Sequence, residues 1–421
     1  MARVNLVGGA VVSDETLDVL VVGGGPAGAC LGALLARGAD AKRVAVLEPR
    51  RPGAINPSDL MDTRVVAVSR ASERILTAAG AWEKVQGPRV CAYEKMCVWH
   101  ERSAPRGPGA LVFDAAEAGE PNLGYIVESR LVQTALLDAF IEAGGRIRQG
   151  ELKSLSIGAD SVSVETSGGT VSARLVVGAD GAQSAVRSAV GLTAESSDYR
   201  ETAIVANVVT ERPHEKTAWQ RFMHRGTLAF LPLADGSSSI VWSADDAVAA
   251  PLLAASPGDF AAELDRASDL VLGKSRLISA RVSFPLRRLT AHSYVANRCA
   301  LIGDAAHVVH PLAGQGVNLG LLDAAALAQT LVDARGEKED FGAQRVLRKY
   351  ERWRKSEVAF IGAAIDAFDR VLSHGSGPVS RLAQQGLAWV NRSQEIKRFF
   401  IRRALGVSGE LPRVARRPAG A

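Results

Sequence analysis

Asp18-Val19-Leu20-Val21-Val22 runs straight into Gly23-Gly24-Gly25-Pro26-Ala27-Gly28 and then into an Ala- and Leu-rich stretch that reaches Arg37. The short apolar run reads as a strand buried on both faces, and the stretch after the glycines reads as a helix. A second apolar run, Val44 to Leu47, closes on Glu48 and completes a βαβ unit of the dinucleotide-binding type. Each glycine has a task. Gly23 allows the tight turn, Gly25 lets backbone N–H groups reach a pyrophosphate, and Gly28 permits close helix packing; Pro26 and Ala27 complete the turn. A lone glycine fingerprint is weak, but Glu48 stands 20 residues beyond Gly28 at a strand end. A carboxylate there accepts bonds from both ribose hydroxyls and repels a 2′-phosphate, which favours FAD or NAD over NADP at this turn.

Outside this unit the composition sets bounds. A chain of 421 residues suits two or three domains, and 47% hydrophobic with 23% charged residues is globular rather than disordered or fibrous. Leu17 to Ala36 is apolar apart from Asp18, yet Gly23 to Pro26 would break a membrane-spanning helix. Arg3 precedes Asp14 and Glu15 with no signal-peptide core, so a cytoplasmic location is expected. Cys30, Cys91, Cys97 and Cys299 are too few for a disulfide scaffold, and are expected to be reduced and mostly buried. Charge is uneven. From Arg335 onward 18 Lys and Arg face 9 Asp and Glu, a net +9 on a body of net −4. Such a tail suits an anionic surface, and a membrane is favoured because no nucleic-acid reader motif accompanies it.

Further along, residues 61–80 read as a loop entering an amphipathic helix stopped by Gly80, and residues 81–122 as exposed loops and edge strands. Ser129 to Gly144 has helical spacing with Ser129 as N-cap. Ser154–Ile157, Val162–Thr166 and Val171–Val177 read as a hairpin or three-stranded meander that leads into Gly178-Ala179-Asp180-Gly181. Alternating runs at 202–209, 218–222, 227–233, 238–242 and 277–286 predict a second, antiparallel sheet, with a short helix at 260–267. Ala300 to Asp304 reads as a buried strand ending in a carboxylate, followed by a long helix from Gly316, and residues 340–404 read as helical.

Two later passages distinguish FAD from NAD. Gly178-Ala179-Asp180-Gly181-Ala182-Gln183-Ser184-Ala185-Val186-Arg187 resembles the Asp-Gly motif of single-component FAD-dependent aromatic hydroxylases of the p-hydroxybenzoate hydroxylase type. Ala300-Leu301-Ile302-Gly303-Asp304-Ala305-Ala306-His307 resembles their Gly-Asp motif. Four more passages resemble the ubiquinone-biosynthesis hydroxylase branch: His310 to Asp323, Asp62-Thr63-Arg64, Gly124 to Arg130, and Gln220-Arg221-Phe222 leading to Leu231-Pro232-Leu233. The resemblance covers about residues 17 to 405. It implies an α/β fold with a Rossmann-like FAD-binding domain of the GR2 type, an inserted antiparallel-sheet substrate domain and a C-terminal helical segment. The implied boundaries are 14–80, 124–191 and 290–334 for the FAD-binding domain, 81–123 and 192–289 for the substrate domain, and 335–421 for a basic helical region.

The same resemblance implies roles for single residues. Asp304, after Gly303 at a strand edge, would accept bonds from the ribityl hydroxyls, and Asp180 with Gly181 would serve the loop meeting both FAD and an NAD(P)H donor. Gly314 and Gly316 would leave room for the flat flavin, beside Val317 and Asn318 at the start of a helix whose positive end stabilises the reduced ring. Arg64 would lie near the flavin and Arg130 near its phosphates. His310, Pro311, Gly314 and Gln315 would line the reacting edge, opposite a sheet face carrying Gln220, Phe222, Leu231 and Pro232. No acid–base dyad is implied, and no Cys or carboxylate cluster completes a metal site around His307 and His310. The implied activity is ring hydroxylation of a polyprenylated phenol or quinol with O2, through a flavin C4a-hydroperoxide. A small soluble aromatic substrate, or a non-catalytic scaffold for other quinone-biosynthesis proteins, are the alternatives. Because such a lipid resides in a bilayer, residues 392–403 are expected to form a basic amphipathic helix, either lying on an anionic membrane face or docked on the body.

Overall fold

The computed structural model describes residues 16–38, 43–56, 58–310, 314–372, 406 and 409–417. Leu17–Val22 and Val44–Glu48 are strands almost wholly buried, as their unbroken apolar runs require. They pair in parallel with each other and with Gly169–Gly178 and Arg146–Gln149, and Cys299–Leu301 extends the parallel set beyond Gly169–Gly178. The meander Leu152–Ile157 and Val162–Thr166 folds onto Gly169–Gly178. Helices Pro26–Gly38, Ser129–Glu142 and Gln315–Gly336 pack beside this sheet. Gly32 lets the first of them approach closely, since a Cβ there would stand 2.9 Å from Val46 Cγ2. Four of the parallel strands end on one edge at Gly23, Glu48, Ala179 and Ile302, the edge where doubly wound sheets bind ligands.

The second sheet has nine strands, built around the long strand Ala194–Thr210. Val282–Ala291 and Ser238–Asp245 flank it, and Gly226–Pro232, Thr217–Met223, Lys95–His100 and Leu111–Asp114 follow outward. Period-two alternation separates its faces. Trp99, Trp219, Leu228, Phe230, Ile240 and Trp242 are buried beneath helices Asp246–Ala254 and Pro257–Ala267. Ala218, Gln220, Ala229, Leu231 and Val241 line a cavity on the other face. A small third sheet joins Val65–Val68, Gly124–Glu128 and Cys91–Tyr93.

Several local expectations need correction. Val65–Val68 is a strand inside the stretch read as loop, and Lys95–His100, in a stretch read as exposed loops and edge strands, is a mostly buried inner strand parallel to Thr217–Met223. Ser129 is the first helical residue, not the cap. Glu128 occupies the cap position without capping, because its carboxylate accepts from Asp62 N and from Arg89. The strand read at 277–286 is split into Ser275–Leu277 and Val282–Ala291. His307–Val308, grouped by sequence with the cofactor half, pairs with Leu289 and Thr290 at the edge of the second sheet. The four cysteines are free and buried, as expected, with burial pushing the Cys91 thiol to about 11 and Cys299 to about 12.

Helix Gln344–Leu372 lies across the molecule. Tyr350 Oη donates to Leu301 O at 2.8 Å, and Glu351 accepts from Ser293 Oγ and Tyr294 N. Farther along, Asp366 accepts from Tyr199 Oη and Arg288 Nη1 of the second sheet. Residues 392–403 lie outside the described residues.

Candidate functional site

A cavity of about 850 Å³ opens at the strand-end edge of the parallel sheet. Gly23 has φ +100°, and a Cβ there would stand 2.4 Å from Ala179 O, so only glycine fits where the two loops meet. At Gly28 a Cβ would come within 2.0 Å of Gly23 O, which makes this residue a packing requirement rather than a cavity wall. Gly25 is different: nothing lies within 4 Å of where its Cβ would be, so its bare backbone faces the cavity at the start of helix Pro26–Gly38. Unpaired N–H groups and the positive end of the helix favour a pyrophosphate there.

Glu48 is held by backbone. Gly24 N donates to Oε2 at 2.6 Å and Arg50 N to Oε1 at 3.2 Å, which fixes the carboxylate at the cavity wall while leaving lone pairs for ribose hydroxyls. Gln133 Nε2 donates to Gly24 O and also lines the cavity. With Ser129 it stands four residues apart on one helix face, a spacing legible in the sequence but not read there. Asp180 lines the opposite wall, but its oxygens accept from Ser184 Oγ and Val186 N and so shape its own loop. Arg187 joins the two motif loops by donating to Ala182 O and Ala305 O.

Asp304 reaches the cavity from the turn Gly303–Ala305. Its carboxylate is open to the cavity yet surrounded by protein. This desolvation raises its pKa above the ordinary carboxylate range, while His307 and Arg64 pull it down and Asp323 adds to the rise. The turn rests on a buried network. Asp323 Oδ2 accepts from Gly303 N at 3.0 Å and pairs with His307 Nε2 at 2.6 Å, and Oδ1 accepts from Arg354 Nε at 2.8 Å. Burial alone would raise the Asp323 pKa, but the His307 and Arg354 charges and hydrogen bonds outweigh it and hold the value below the usual range. His307 is thereby assigned to the support of the turn.

A second cavity of about 510 Å³ adjoins the first, sharing Arg64, Ser129 and Val317 with it. Its walls include Met96, Ile126, Val205, Ala218, Ala229, Leu231 and Val241, with Gln220, Thr227 and Ser243 as polar points. Arg64 is the only charged side chain among its described lining residues. Tyr93 is there too, its phenol pushed by burial to about 12.

The structure brings Gly23, Gly25, Pro26, Ala27, Glu48, Arg64, Asp180, Gly181, Gly303, Asp304, Gly316 and Val317 to the first cavity, and Gly314 and Gln315 to the second. Others fall elsewhere. Arg130 is directed toward Asp62 and lines neither cavity. Asn318 is buried and pinned: Oδ1 accepts from Ser69 N and Ser72 Oγ, and Nδ2 donates to Ala67 O. It ties the helix start to helix Arg70–Ala78 instead of facing a ligand. His310 is buried edge-on to Tyr199 with Nε2 3.3 Å from Glu201, away from both linings. Of the four sheet residues expected at the reacting edge, Gln220 and Leu231 line the cavity. Pro232 falls on the opposite parity of its strand, and Phe222 is buried farther along, against Val98 and Leu111. Pro311 lies outside the described residues.

The donor set fits FAD: backbone N–H groups at a helix start, and carboxylates at Glu48 and Asp304 that could accept from ribose and ribityl hydroxyls. Comparison with known proteins agrees. The model of the FAD binding domain family matches residues 16–360. The chain is 37% identical to ubiquinone hydroxylase UbiL of Rhodospirillum rubrum, over 96% of this chain and 94% of that protein. It is 34% identical to 3-demethoxyubiquinol 3-hydroxylase of Escherichia coli, over 94% and 100%. Among solved structures, p-nitrophenol 4-monooxygenase PnpA from Pseudomonas putida superposes with a TM-score of 0.73 at 21% identity, covering 93% of this chain and 98% of that one, a likeness of fold. The chain is an FAD-dependent monooxygenase and belongs to the FAD-binding-domain family, in its ubiquinone-biosynthesis hydroxylase branch.

Proposed function

We propose that this enzyme hydroxylates the ring of a polyprenylated phenol or quinol on the way to ubiquinone. The observation that carries this reading is the apolar second cavity, joined to the cofactor cavity at Arg64, Ser129 and Val317. A ring placed there is walled by Ile126, Leu231 and Val241 and can meet the Gln220 amide or the Ser243 hydroxyl through its oxygen substituent. The apolar walls suit a ring that carries an apolar tail, and Arg64, the one charged side chain of the described lining, stands at the junction with the cofactor cavity. Bound FAD, reduced by an external donor, supplies the activation of dioxygen.

The chain's own residues bind, orient and exclude water. The Gly23 to Gly28 turn and Glu48 hold the adenosine end, Asp304 the ribityl chain, and the Arg64 cation sits beside both cavities to offset negative charge where ring and substrate meet. Apolar walls keep water from the reacting atoms, which limits loss of reduced oxygen as peroxide. NAD(P)H is the proposed donor. Among the described residues no helix is long and apolar enough to cross a membrane. The net +9 from Arg335 onward suits contact with the anionic lipid that holds such a substrate.

The test is direct. Purified enzyme should carry FAD, oxidise NAD(P)H faster when a prenylated phenol is present, and yield a product heavier by one oxygen. Donor oxidation unaffected by any prenylated phenol or quinol, with peroxide as the only oxygen product, would overturn the assignment and leave the scaffold reading.

A further inference from the structure

We infer that the isoprenoid tail of the substrate leaves the apolar cavity across a lip formed by Val282, Ser283 and Phe284. This rests on the proposed ring hydroxylation of a polyprenylated substrate and adds where its tail goes. Most lining residues of the second cavity are buried or half-buried. The exposed ones among those described are Arg64, on the side shared with the cofactor cavity, and the run Val282 to Phe284. Among the described residues the cavity therefore opens at two ends. The cofactor takes one of them, and the other lies at the start of strand Val282–Ala291.

The second opening is apolar at its rim. Val282 is 48% exposed and Phe284 44%, and both line the cavity. Val282 pairs with Val205, which is itself a buried part of the cavity wall, so apolar surface runs unbroken from the interior to the lip. Single exposed apolar residues are ordinary, but two at alternate positions on the rim of an apolar cavity form a continuous patch.

Sheet topology makes the exposure more telling. Among the described residues, Val282 to Pro285 pairs with Ala194–Thr210 on one side only, because His307–Val308 covers the other side just at Leu289 and Thr290. An exposed edge carrying Val and Phe invites pairing with other chains. Pro285, which cannot donate to a ladder, blunts that edge while leaving both apolar side chains in place. Arg281, just before the lip, donates to Leu252 O and Ala255 O and anchors the strand's start. The base is fixed and the edge protected, yet the apolar rim stays open.

Size supplies the occupant. About 510 Å³ lies within the range of pockets that enclose a drug-sized molecule. It can take an aromatic ring and the first isoprene units, whereas a long polyprenyl chain must continue outside. Among the described residues the lip is the apolar exit available to it.

The experiment compares two substrates sharing one phenol ring, one with a long polyprenyl tail and one with a single prenyl unit, both in detergent micelles. The Val282→Ser/Phe284→Ser enzyme should keep its FAD, and its kcat/KM for the short substrate should fall by clearly less than that for the long one. For the long one kcat/KM should fall roughly tenfold, equivalent to about 1.4 kcal/mol. Phe284→Leu, which stays apolar, should retain long-tail turnover. Equal changes for the two substrates, or none for either, would overturn the lip. Turnover of neither substrate by the unaltered enzyme would overturn the hydroxylase assignment, and the lip with it. A variant that loses FAD is replaced by the single Val282→Ser and Phe284→Ser enzymes, judged by the same ratio of long to short substrate.

Discussion

Asp304 carries two demands that pull apart. In the proposed reading its place in the cofactor cavity would give FAD hydroxyls a charged acceptor, yet desolvation raises its pKa, so its ionised form is disfavoured in the cofactor-free protein. A carboxyl whose folded pKa is raised contributes stability below its unfolded value and loses it as pH climbs through the folded value. At neutral pH the charge is therefore a liability to the apoprotein. Asp304→Asn should melt at a higher temperature than the unaltered apoprotein at pH 7 while binding FAD roughly tenfold to a hundredfold more weakly, the loss expected for a hydrogen bond to a charged group. Thermal scans of both apoproteins and FAD titration check the two halves; an apoprotein no more stable than the original would contradict the cost assigned to this charge. Residues of this kind were legible because their chemistry is local: the glycine turn, Glu48 at a strand end, a carboxylate after Ile302. Asn318 was not legible as a brace, since its partners Ser69 and Ala67 lie 249 and 251 residues away, and its neighbours in sequence suggest only a helix start.

At the scale of elements, the turn Gly303–Ala305 is only as well placed as the helices behind it. Gly303 N donates to Asp323 on helix Gln315–Gly336, and Arg354 on helix Gln344–Leu372 balances that buried carboxylate. Replacing Arg354 with Met leaves Asp323 buried without its guanidinium partner; breaking such a pair costs about 3–5 kcal/mol. The depressed Asp323 pKa gives the sign with pH. Its stabilisation is present above the ordinary carboxylate value of about 3.9 and is lost as pH falls through the folded value. Arg354→Met should thus shift the urea midpoint down at pH 7 and begin to lose stability on acidification at a higher pH than the unaltered protein. Adding Asp323→Leu removes the stranded charge together with the partner of Gly303 N, and should recover part of the loss; no recovery would show that a stranded carboxylate is not what destabilises Arg354→Met. Elements whose pattern was periodic and self-contained, such as Leu17–Val22 and the alternating strands 218–222 and 227–233, could be read directly. Lys95–His100 could not: its burial comes from a parallel partner, Thr217–Met223, more than a hundred residues later, and scattered Gly and Pro beyond it argued for loops.

Across the whole molecule, one helix touches both halves of the catalytic arrangement. Tyr350 and Arg354 bind the cofactor sheet and its turn, while Asp366 accepts from Tyr199 and Arg288 on the substrate sheet with its side chain only 12% exposed. The basic composition of this region pointed to a surface partner, and charge counting alone gave no sign that its first half clamps the body, because the clamp is made by a few side chains whose partners are distant in sequence. Asp366→Ala removes two hydrogen bonds at one end of the clamp and leaves the other end untouched, a loss of roughly 1–3 kcal/mol on the substrate side. The chain carries its own reporters for the two sides. Trp99, Trp219 and Trp242, half of the six tryptophans, lie in the core beneath the substrate sheet, whereas bound FAD reports the cofactor half. In the unaltered holoenzyme, urea should change tryptophan fluorescence and release flavin together. In Asp366→Ala the fluorescence change should move to lower urea while flavin release stays near its original midpoint. Coincident transitions in the variant would show that the two sheets are joined chiefly by the long strands Ala194–Thr210 and Val282–Ala291 and not by the helix laid across them.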